Sequence, residues 1–450
     1  MPTSTSNQTR LRMTPTLRRS PRKIGLLEHC GAGNLGDDAT QTAVIQIIRA
    51  HWPTSEVCGF TMNPSDSRTR HGIPCYPLRR QTWDLDYWTT DRDRTLKGKL
   101  KSAARAHPLA YGAARTLYRL GITLPRNLFH EALFLAKSLN LLRSFDLLII
   151  SGGGQLLDSW GGPWSFPYTL FKWVLLARVL QIPCYFINVG AGPIKTRLAR
   201  FLVKHAVRNS AYISFRDEYS RALVKQIGFT GASEVVADSV YCLDVPAHTP
   251  NWPSTQERPV VGIAPMAYCD PRVYYDKDAA QYAALIQKLA QFGAWLVANR
   301  YSLTLYSTDY YFDSRAIDEL ATAVNGELNC PQPDCIRCPS LRTTEELFAQ
   351  MASMEYIVTC RYHGVVFAHL MNIPVLAIAH HPKVTTLMND FGLSEYCVDL
   401  RSLDSDALVR TFVRMVDNKH AIQMKMAERV AHYREELTCQ FASLFSRRFD

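Results

Sequence analysis

The stretch Tyr356-Ile-Val-Thr-Cys-Arg-Tyr-His-Gly364 is followed by Ile373-Pro-Val-Leu-Ala-Ile378 and then by His380-His-Pro-Lys-Val384. Each half has a short apolar run, a polar loop and the start of a helix, which is typical of successive βα units. Because neighbouring parallel strands end side by side, both loops are predicted at one carboxyl edge of a sheet, where α/β proteins bind ligands. The stretch therefore predicts an α/β fold.

Three side chains in these loops carry or can gain positive charge: Arg361, His363 and Lys383. The N–H groups and the positive dipole at each helix start also favour phosphate or carboxylate. Together they predict a site for a small, multiply charged anion, in which His363 titrates near neutrality. The alternative is that His363 is a buried helix residue and Lys383 a solvated helix cap.

The composition is that of a globular protein, with 47% hydrophobic and 20% charged residues among 450. A chain of this length exceeds one hydrophobic core, which predicts two α/β domains. No apolar run reaches the roughly 18 residues of a membrane span, and Met1 to Lys23 lacks the apolar core of a secretory signal. The scattered cysteines then indicate reduced thiols and a cytoplasmic protein.

The predicted domain boundaries follow changes in this pattern. Residues 1–23 form a disordered basic tail, 24–238 a first Rossmann-like domain with a helical insertion at about 84–145, 239–258 a linker, 259–403 a second Rossmann-like domain, and 404–450 helices that pack back. The regular alternation of strands and helices predicts parallel sheets with right-handed crossovers.

A glycine turn, Gly31-Ala-Gly-Asn-Leu-Gly-Asp-Asp38, precedes a helix predicted from Ala39 to about Ala50. Two carboxylates at a helix start would repel a pyrophosphate, which argues against a dinucleotide site. Asn34, Asp37 and Asp38 instead suit a hydroxyl-rich, sugar-like ligand. The alternative is that they only cap the helix.

Three further strand ends predict a cleft at the same edge: Ser151-Gly-Gly-Gly-Gln-Leu-Leu-Asp158, Asn188-Val-Gly-Ala-Gly-Pro193 and Ser214-Phe-Arg-Asp217. Glycines there let the backbone approach a ligand closely, and Arg216 adds a cation. The candidate acceptor contacts at these ends are Gly153, Gly154, Asp158, Gly190 and Gly192.

The net charge of +11 is uneven, because Arg and Lys concentrate in the tail and from Arg92 to Arg143. No stacking aromatics interleave with this charge, so nucleic acid is not a predicted partner. The segment predicts basic amphipathic helices in peripheral contact with an anionic membrane, at its inner face. A solvated helical insertion is the alternative.

Cys330, Cys335 and Cys338 form a C-x4-C-x2-C cluster. Tetrahedral zinc needs four ligands, and the sequence places no fourth ligand nearby, so metal binding there stays open.

Several motifs occur in one order: Gly33-Asn-Leu-Gly-Asp-Asp38, Ile150-Ser-Gly-Gly-Gly-x-Leu-Leu-Asp158, Val189-Gly-Ala-Gly-Pro193, Phe215-Arg-Asp-Glu-x-Ser220, Ala237-Asp238, and Cys360-Arg-Tyr-His363 with Pro382-Lys-Val384. From about residue 24 to 395 the chain thereby resembles the polysaccharide pyruvyl transferase family. The resemblance implies two Rossmann-like domains with parallel sheets facing across a cleft, as in GT-B glycosyltransferases. It also implies transfer of pyruvate from phosphoenolpyruvate onto a sugar, oligosaccharide or lipid-linked glycan as a ketal. We expect no cofactor and no metal, because arginine and lysine can stabilise the departing phosphate directly.

In this interpretation Arg216, Arg361, Tyr362 and Lys383 bind the donor, and His363 is the general acid. The acid or base for the sugar hydroxyl is Asp37, Asp38 or Asp313. Tyr362 stands where leucine is more usual in the family, and His381 where an aspartate commonly precedes the Pro-Lys pair.

Two other functions compete with this one. A GT-B glycosyltransferase would need a carboxylate for the ribose of a nucleotide sugar, for which the second domain offers Glu395 or Asp399. A non-catalytic, membrane-surface component of a polysaccharide pathway would need only the basic insertion.

Overall fold

The computed structural model describes residues 20–28, 31, 33–82, 124–245, 258–328 and 335–446. Several sequence predictions lie outside these residues: the tail up to residue 19, residues 84–123 of the insertion, residues 246–257 of the linker, and Cys330.

The first sheet has seven parallel strands in the order β3-β2-β1-β4-β5-β6-β7. The strands are β1 Lys23–Leu27, β2 Glu56–Thr61, β3 Cys75–Pro77, β4 Leu147–Ser151, β5 Cys184–Val189, β6 Tyr212–Phe215 and β7 Glu234–Val235. The described helices around it are α1 Leu35–His51, α2 Pro64–His71, α3 Leu124–Leu142, α4 Phe166–Val179, α5 Arg197–Arg208 and α6 Glu218–Gln226. The strands β4 and β5 are buried along their whole length, as expected for a parallel sheet covered on both faces.

The second sheet has six parallel strands in the order β10-β9-β8-β11-β12-β13. The strands are β8 Val260–Ala264, β9 Ser302–Leu305, β10 Ile336–Arg337, β11 Tyr356–Thr359, β12 Val375–Ala379 and β13 Cys397–Asp399. The described helices here are α7 Ala279–Ala298, α8 Tyr310–Glu327, α9 Thr344–Met351, α10 Tyr362–Leu370, α11 Pro382–Asp390, α12 Ser405–Asp417 and α13 Lys419–Ser446.

Both sheets reverse their strand order at equivalent places, between β1 and β4 and between β8 and β11. A crevice opens at such a reversal, outside the carboxyl ends of the strands, and is the usual ligand site of an open α/β sheet. The two crevices meet: Leu35 N donates to Thr308 O at 2.8 Å, and Asn34 forms a β-bridge with Asp309. The fold therefore joins both binding edges at the start of α1.

The predicted start of the first helix at Ala39 is wrong, since α1 begins at Leu35. The Asn34 side chain accepts hydrogen bonds from Gly36 N at 3.0 Å and Asp37 N at 3.3 Å, which stabilises an additional helical turn. As a result Asp37 and Asp38 lie in the first turn of α1 and point to different sides of it.

The last helix, α13, connects the two domains. Its Gln440 donates to Asn188 Oδ1 at 3.0 Å and to Ser214 Oγ at 3.0 Å, both in the first sheet. Near its end, the Phe445 ring lies 4.2 Å from that of Trp52. Among the described residues, no helix combines the length and the apolar character needed to cross a membrane.

Candidate active site

A cavity of about 650 Å³ opens where the two crevices meet. Residues of both domains line it, among them Asn34, Asp37, Gly154 and Arg216 from the first domain and Asp309, Arg361, Tyr362, His363 and Lys383 from the second. The structure thus brings the predicted cations of both domains into one cavity. Glu395 and Asp399 are exposed residues outside this lining.

Arg216 follows β6, and its buried side chain lines the cavity. Its Nη1 donates to Asp238 Oδ2 at 3.0 Å, and its Nε lies 3.5 Å from Asp217 Oδ2. A Cβ atom on Gly190 would lie 2.7 Å from that Nε, so only glycine leaves room for the guanidinium. Packing against Arg216 is therefore the physical reason for a glycine at position 190, and it differs from the predicted contact with an acceptor.

The Tyr362 ring contacts a cation from each of the two domains. The Arg216 guanidinium lies 4.2 Å from the centre of the Tyr362 ring, and Lys383 Nζ lies 5.6 Å from it. A ring face attracts cations, so Tyr362 holds both charges beside the cavity against their mutual repulsion.

Arg361 has most of its charge compensated within the protein. Its Nε and Nη2 form a fork on the fully buried carboxylate of Asp313, at 2.8 Å and 2.6 Å, and Nη1 lies 3.3 Å from Asp309 Oδ2. Such a bidentate pair fixes orientation. Asp313, a candidate acid or base, therefore anchors Arg361 instead of facing a ligand.

Lys383 lies half-buried in the first turn of α11. Burial, together with the positive charges of Arg216 and Arg361, lowers its pKa to about 7. An anion in the cavity would reverse this effect, because it would favour the charged amine.

His363 is buried in the first turn of α10, and its imidazole packs against the backbone of Gly36 in α1. Burial and the neighbouring Arg216, Lys383 and Arg361 hold its pKa well below the ordinary value. Its Nε2 lies 4.0 Å from Asp238 Oδ2 and has no hydrogen-bond partner among the described residues. This environment contradicts the predicted titration of His363 near neutrality, because burial and the three cations favour the neutral imidazole.

The two carboxylates of the glycine turn have different environments. Asp37 faces the cavity, and burial together with the charge of Asp38 raises its pKa to about 7. Asp38 is buried behind α1, where its carboxylate lies 3.5 Å from Arg70 and 3.8 Å from His71. Of these two carboxylates, only that of Asp37 is placed to act on a ligand in the cavity.

Of the residues predicted to contact the acceptor, some line the cavity and others do not. Asn34 and Gly154 line the cavity, whereas Gly153, Asp158, Gly190 and Gly192 lie outside its lining. Asp158 accepts hydrogen bonds from the backbone of Lys195 and Thr196 and from Thr196 Oγ1, each at 2.8 Å, so it shapes the turn before α5. Gly190 N donates to Gly153 O at 2.8 Å, which ties two strand ends together.

Two features of the lining were missed by the sequence analysis. Asp309 follows β9 and caps α8, and burial raises the pKa of its carboxyl. The ring of Trp160 packs against Tyr275 at 5.1 Å and Phe312 at 5.4 Å. The position of Asp309 after a strand could have indicated a site residue. Nothing in the sequence shows that Trp160 contacts the second domain.

Within the described ranges, no group of three or more His, Cys, Asp or Glu side chains could hold a metal ion. Cys335 Sγ accepts a hydrogen bond from Arg258 at 3.1 Å, and Cys338 is exposed.

Comparisons with known proteins agree with the fold and the motifs. The profile of the polysaccharide pyruvyl transferase family matches residues 34–382. The amylovoran biosynthesis protein AmsJ of Erwinia amylovora is 22% identical over 424 residues, which cover 92% of this chain and 96% of AmsJ. UDP-GlcNAc 2-epimerase from Neisseria meningitidis, solved with UDP-GlcNAc, has a TM-score of 0.53 at 12% identity over 94% of this chain and 100% of its own. The UDP complex of S. aureus MnaA also has a TM-score of 0.53, at 11% identity over 90% and 91% of the chains. These likenesses show the GT-B fold.

Proposed function

The chain belongs to the polysaccharide pyruvyl transferase family, and from this we propose that it transfers pyruvate from phosphoenolpyruvate onto two hydroxyls of a sugar in an exopolysaccharide or cell-surface glycan precursor, as a ketal. One observation carries the proposal: Arg216 from the first domain and Lys383 from the second converge on the ring of Tyr362 in one cavity. A donor with a phosphate and a carboxylate on three carbons needs cations from two sides.

The donor is proposed to lie between these cations and the start of α10. No side chain caps the first turn of α10, so its backbone N–H groups can bind an oxyanion. Arg361, whose charge Asp313 and Asp309 largely compensate, would donate to the donor only through an N–H of Nη1 that does not face Asp309. Arginine, lysine and N–H groups can stabilise a departing phosphate, and the proposed reaction includes no metal.

The proposed reaction begins with a proton added to the methylene carbon of the donor, which leaves a cation at the adjacent carbon. One sugar hydroxyl adds to this carbon and releases its proton. The C–O bond to phosphate then breaks, and phosphate leaves with the bonding electrons. The second hydroxyl adds to the new cation and releases its proton, which gives the ketal and inorganic phosphate.

His363 is proposed as the group that protonates the methylene carbon. Burial and three neighbouring cations hold its pKa well below the ordinary value, and a bound anionic donor would offset the charges and raise that pKa. Donor binding would therefore activate the acid, and acid catalysis of this kind contributes about 10²- to 10⁴-fold. Asp37, with a pKa of about 7, is proposed to accept a hydroxyl proton.

Thermal unfolding with different ligands tests the donor. Phosphoenolpyruvate should stabilise the protein, by about 2.7 kcal/mol at a hundredfold excess over Kd, and UDP should not. The reverse result would favour a GT-B glycosyltransferase, although the two ribose candidates, Glu395 and Asp399, lie outside the cavity lining.

Phosphate release in the presence of lipid-linked or aryl glycosides tests the reaction. His363→Gln should lose turnover and keep the thermal shift with phosphoenolpyruvate, while His432→Gln, at an exposed position of α13, should retain both. Turnover by His363→Gln would remove that residue from the acid role.

The proposal also includes peripheral contact with an anionic membrane at its inner face. The adjacent helices α4 and α5 contain no Asp or Glu and expose Leu175, Val179, Leu198 and Phe201. Exposed apolar residues beside basic ones suit a surface of anionic lipid. The protein should sediment with phosphatidylserine vesicles, and Phe201→Glu should weaken this. Sedimentation without any consumption of phosphoenolpyruvate would favour the non-catalytic alternative.

A further inference from the structure

A further part of the cavity lining belongs to the first domain, and we call the part of the cavity that it borders the second arm. This arm lies between the segment after β3 and the helices α3 and α4, and Arg79, Arg80, Glu131 and Lys172 line it. None of these residues belongs to the motifs that indicated the family.

Arg79 is the least compensated cation of the arm. Its Nε donates to Thr169 Oγ1 at 2.7 Å, and its guanidinium lies 5.2 Å from the centre of the Phe166 ring. Its Nη2 is buried and has no hydrogen-bond partner among the described residues, none of whose carboxylates forms an ion pair with Arg79. Burial lowers the pKa of this guanidinium to about 10.

Lys172 is the second cation, and only 5% of its surface is exposed. Its Nζ donates to Glu131 Oε1 at 3.0 Å and lies 4.5 Å from the centre of the Phe134 ring. Burial lowers its pKa despite Glu131, and the charges of Arg79 and Arg80 lower it further.

Within the described residues, Glu131 is the carboxylate shared by these cations. It accepts hydrogen bonds from Lys172 and from Tyr168 Oη, and it lies 4.0 Å from Arg80 Nε. One carboxylate cannot balance three cations, so the described side chains of the arm carry an excess of positive charge. A buried cation that no carboxylate balances destabilises a fold, and a negatively charged ligand in the arm would offset this cost.

We propose that this arm binds a phosphoryl group of the acceptor, so that the acceptor is a glycosyl phosphate or diphosphate. The inference rests on the proposed function and specifies its acceptor. The donor occupies the cations at Tyr362, and the sugar lies between the two anion sites. The Arg79 guanidinium and Lys172 Nζ would donate to phosphate oxygens, and charge-assisted bonds of this kind are the strong ones.

Binding of inorganic pyrophosphate to protein saturated with phosphoenolpyruvate tests the arm without knowledge of the sugar. Pyrophosphate should stabilise the wild type further, and Arg79→Gln should weaken its binding about tenfold or more, which is 1.4 kcal/mol or more. Arg410→Gln removes a charge at a residue that is 68% exposed, and it should leave the affinity unchanged. If Arg79→Gln does not fold, Lys172→Gln and Arg79→Lys provide the comparison, with the larger loss expected for glutamine.

The release of inorganic phosphate from phosphoenolpyruvate, measured with different acceptors, then identifies which kind of phosphorylated acceptor the arm binds. Neutral aryl glycosides, sugar 1-phosphates, prenyl diphosphate sugars and nucleotide diphosphate sugars are compared as acceptors. Arg79→Gln should raise KM for the phosphorylated acceptors alone and leave the thermal shift with phosphoenolpyruvate intact. Equal effects on neutral and phosphorylated acceptors would overturn the inference, whereas a wild type that neither binds nor consumes phosphoenolpyruvate would overturn the proposed function.

Discussion

Single residues of the site depend on glycines of the opposing domain for their position. The His363 imidazole rests directly on the backbone of Gly36, in the first turn of α1. Gly36 has no positive φ and lies in a helix, where alanine is usually better than glycine. Space for the imidazole is therefore the physical reason for a glycine at this position.

Gly36→Ala should separate stability from catalysis. The new Cβ would lie well inside van der Waals contact with His363 Nδ1, so the imidazole must move and turnover should fall about 100-fold or more. Gly326→Ala, in α8, is the matched control because its Cβ meets no atom within 4 Å. It should stabilise the protein by about 0.5–1 kcal/mol without changing turnover. Wild-type turnover by Gly36→Ala would contradict the assigned role of His363.

We expect donor binding to be coupled to the uptake of a proton by Lys383. Its pKa of about 7 in the free site should rise when an anion binds, so at pH 8 the complex should take up protons. Lys383→Arg keeps the cation but remains protonated, so it should bind with less uptake, by up to about one proton. Calorimetry at pH 8 in buffers of different ionisation enthalpy measures the difference. Equal uptake by both proteins would show that Lys383 is already charged in the free site.

At the scale of elements, the sequence located the correct strand ends but not the contacts between them. The apolar runs before Arg216, Arg361 and Lys383 predicted strands, and parallel pairing placed those residues at one edge of each sheet. Neutralisation of Arg361 by Asp313 could not be predicted, because the two residues lie on α8 and before α10, elements that only tertiary packing brings together. For the same reason, local pattern did not show that Asp37 lines the cavity while Asp38 lies beside Arg70.

The N-terminus of α1 is the element that connects both binding edges, so its cap should matter for activity. Asn34→Ala removes the cap and should destabilise the protein by about 0.5–2 kcal/mol, while Asn34→Ser should restore most of the loss. Thr343→Ala removes the capping box of α9, a matched control whose residue lies outside the cavity lining. Both alanine variants should lose stability, but only Asn34→Ala should also weaken phosphoenolpyruvate binding, as measured by thermal shift. Equal donor affinity in both variants would mean that α1 does not position the site.

At the scale of the whole molecule, the site requires two domains held at a fixed distance, and α13 contributes to this through a buried polar contact. Gln440 bonds Asn188, Ser214 and Tyr212 Oη in the first sheet, while α13 begins beside the second sheet, where Lys419 pairs with Glu355. Length and composition predicted two domains. The partner of Gln440 could not be predicted, since Asn188 precedes it by 252 residues.

Gln440→Leu should destabilise the connection between the domains without touching the cavity. It removes the hydrogen bonds of Asn188 and Ser214 to the buried amide, and each lost hydrogen bond costs about 0.5–1.5 kcal/mol. Urea unfolding should show this loss, and Cys439→Ser, at the exposed neighbouring position, should not. Because the lost bonds lie outside the site, the folded variant should bind phosphoenolpyruvate with unchanged affinity if α13 only adds stability. A weaker donor affinity in folded Gln440→Leu would instead show that α13 sets the distance between Arg216 and Lys383.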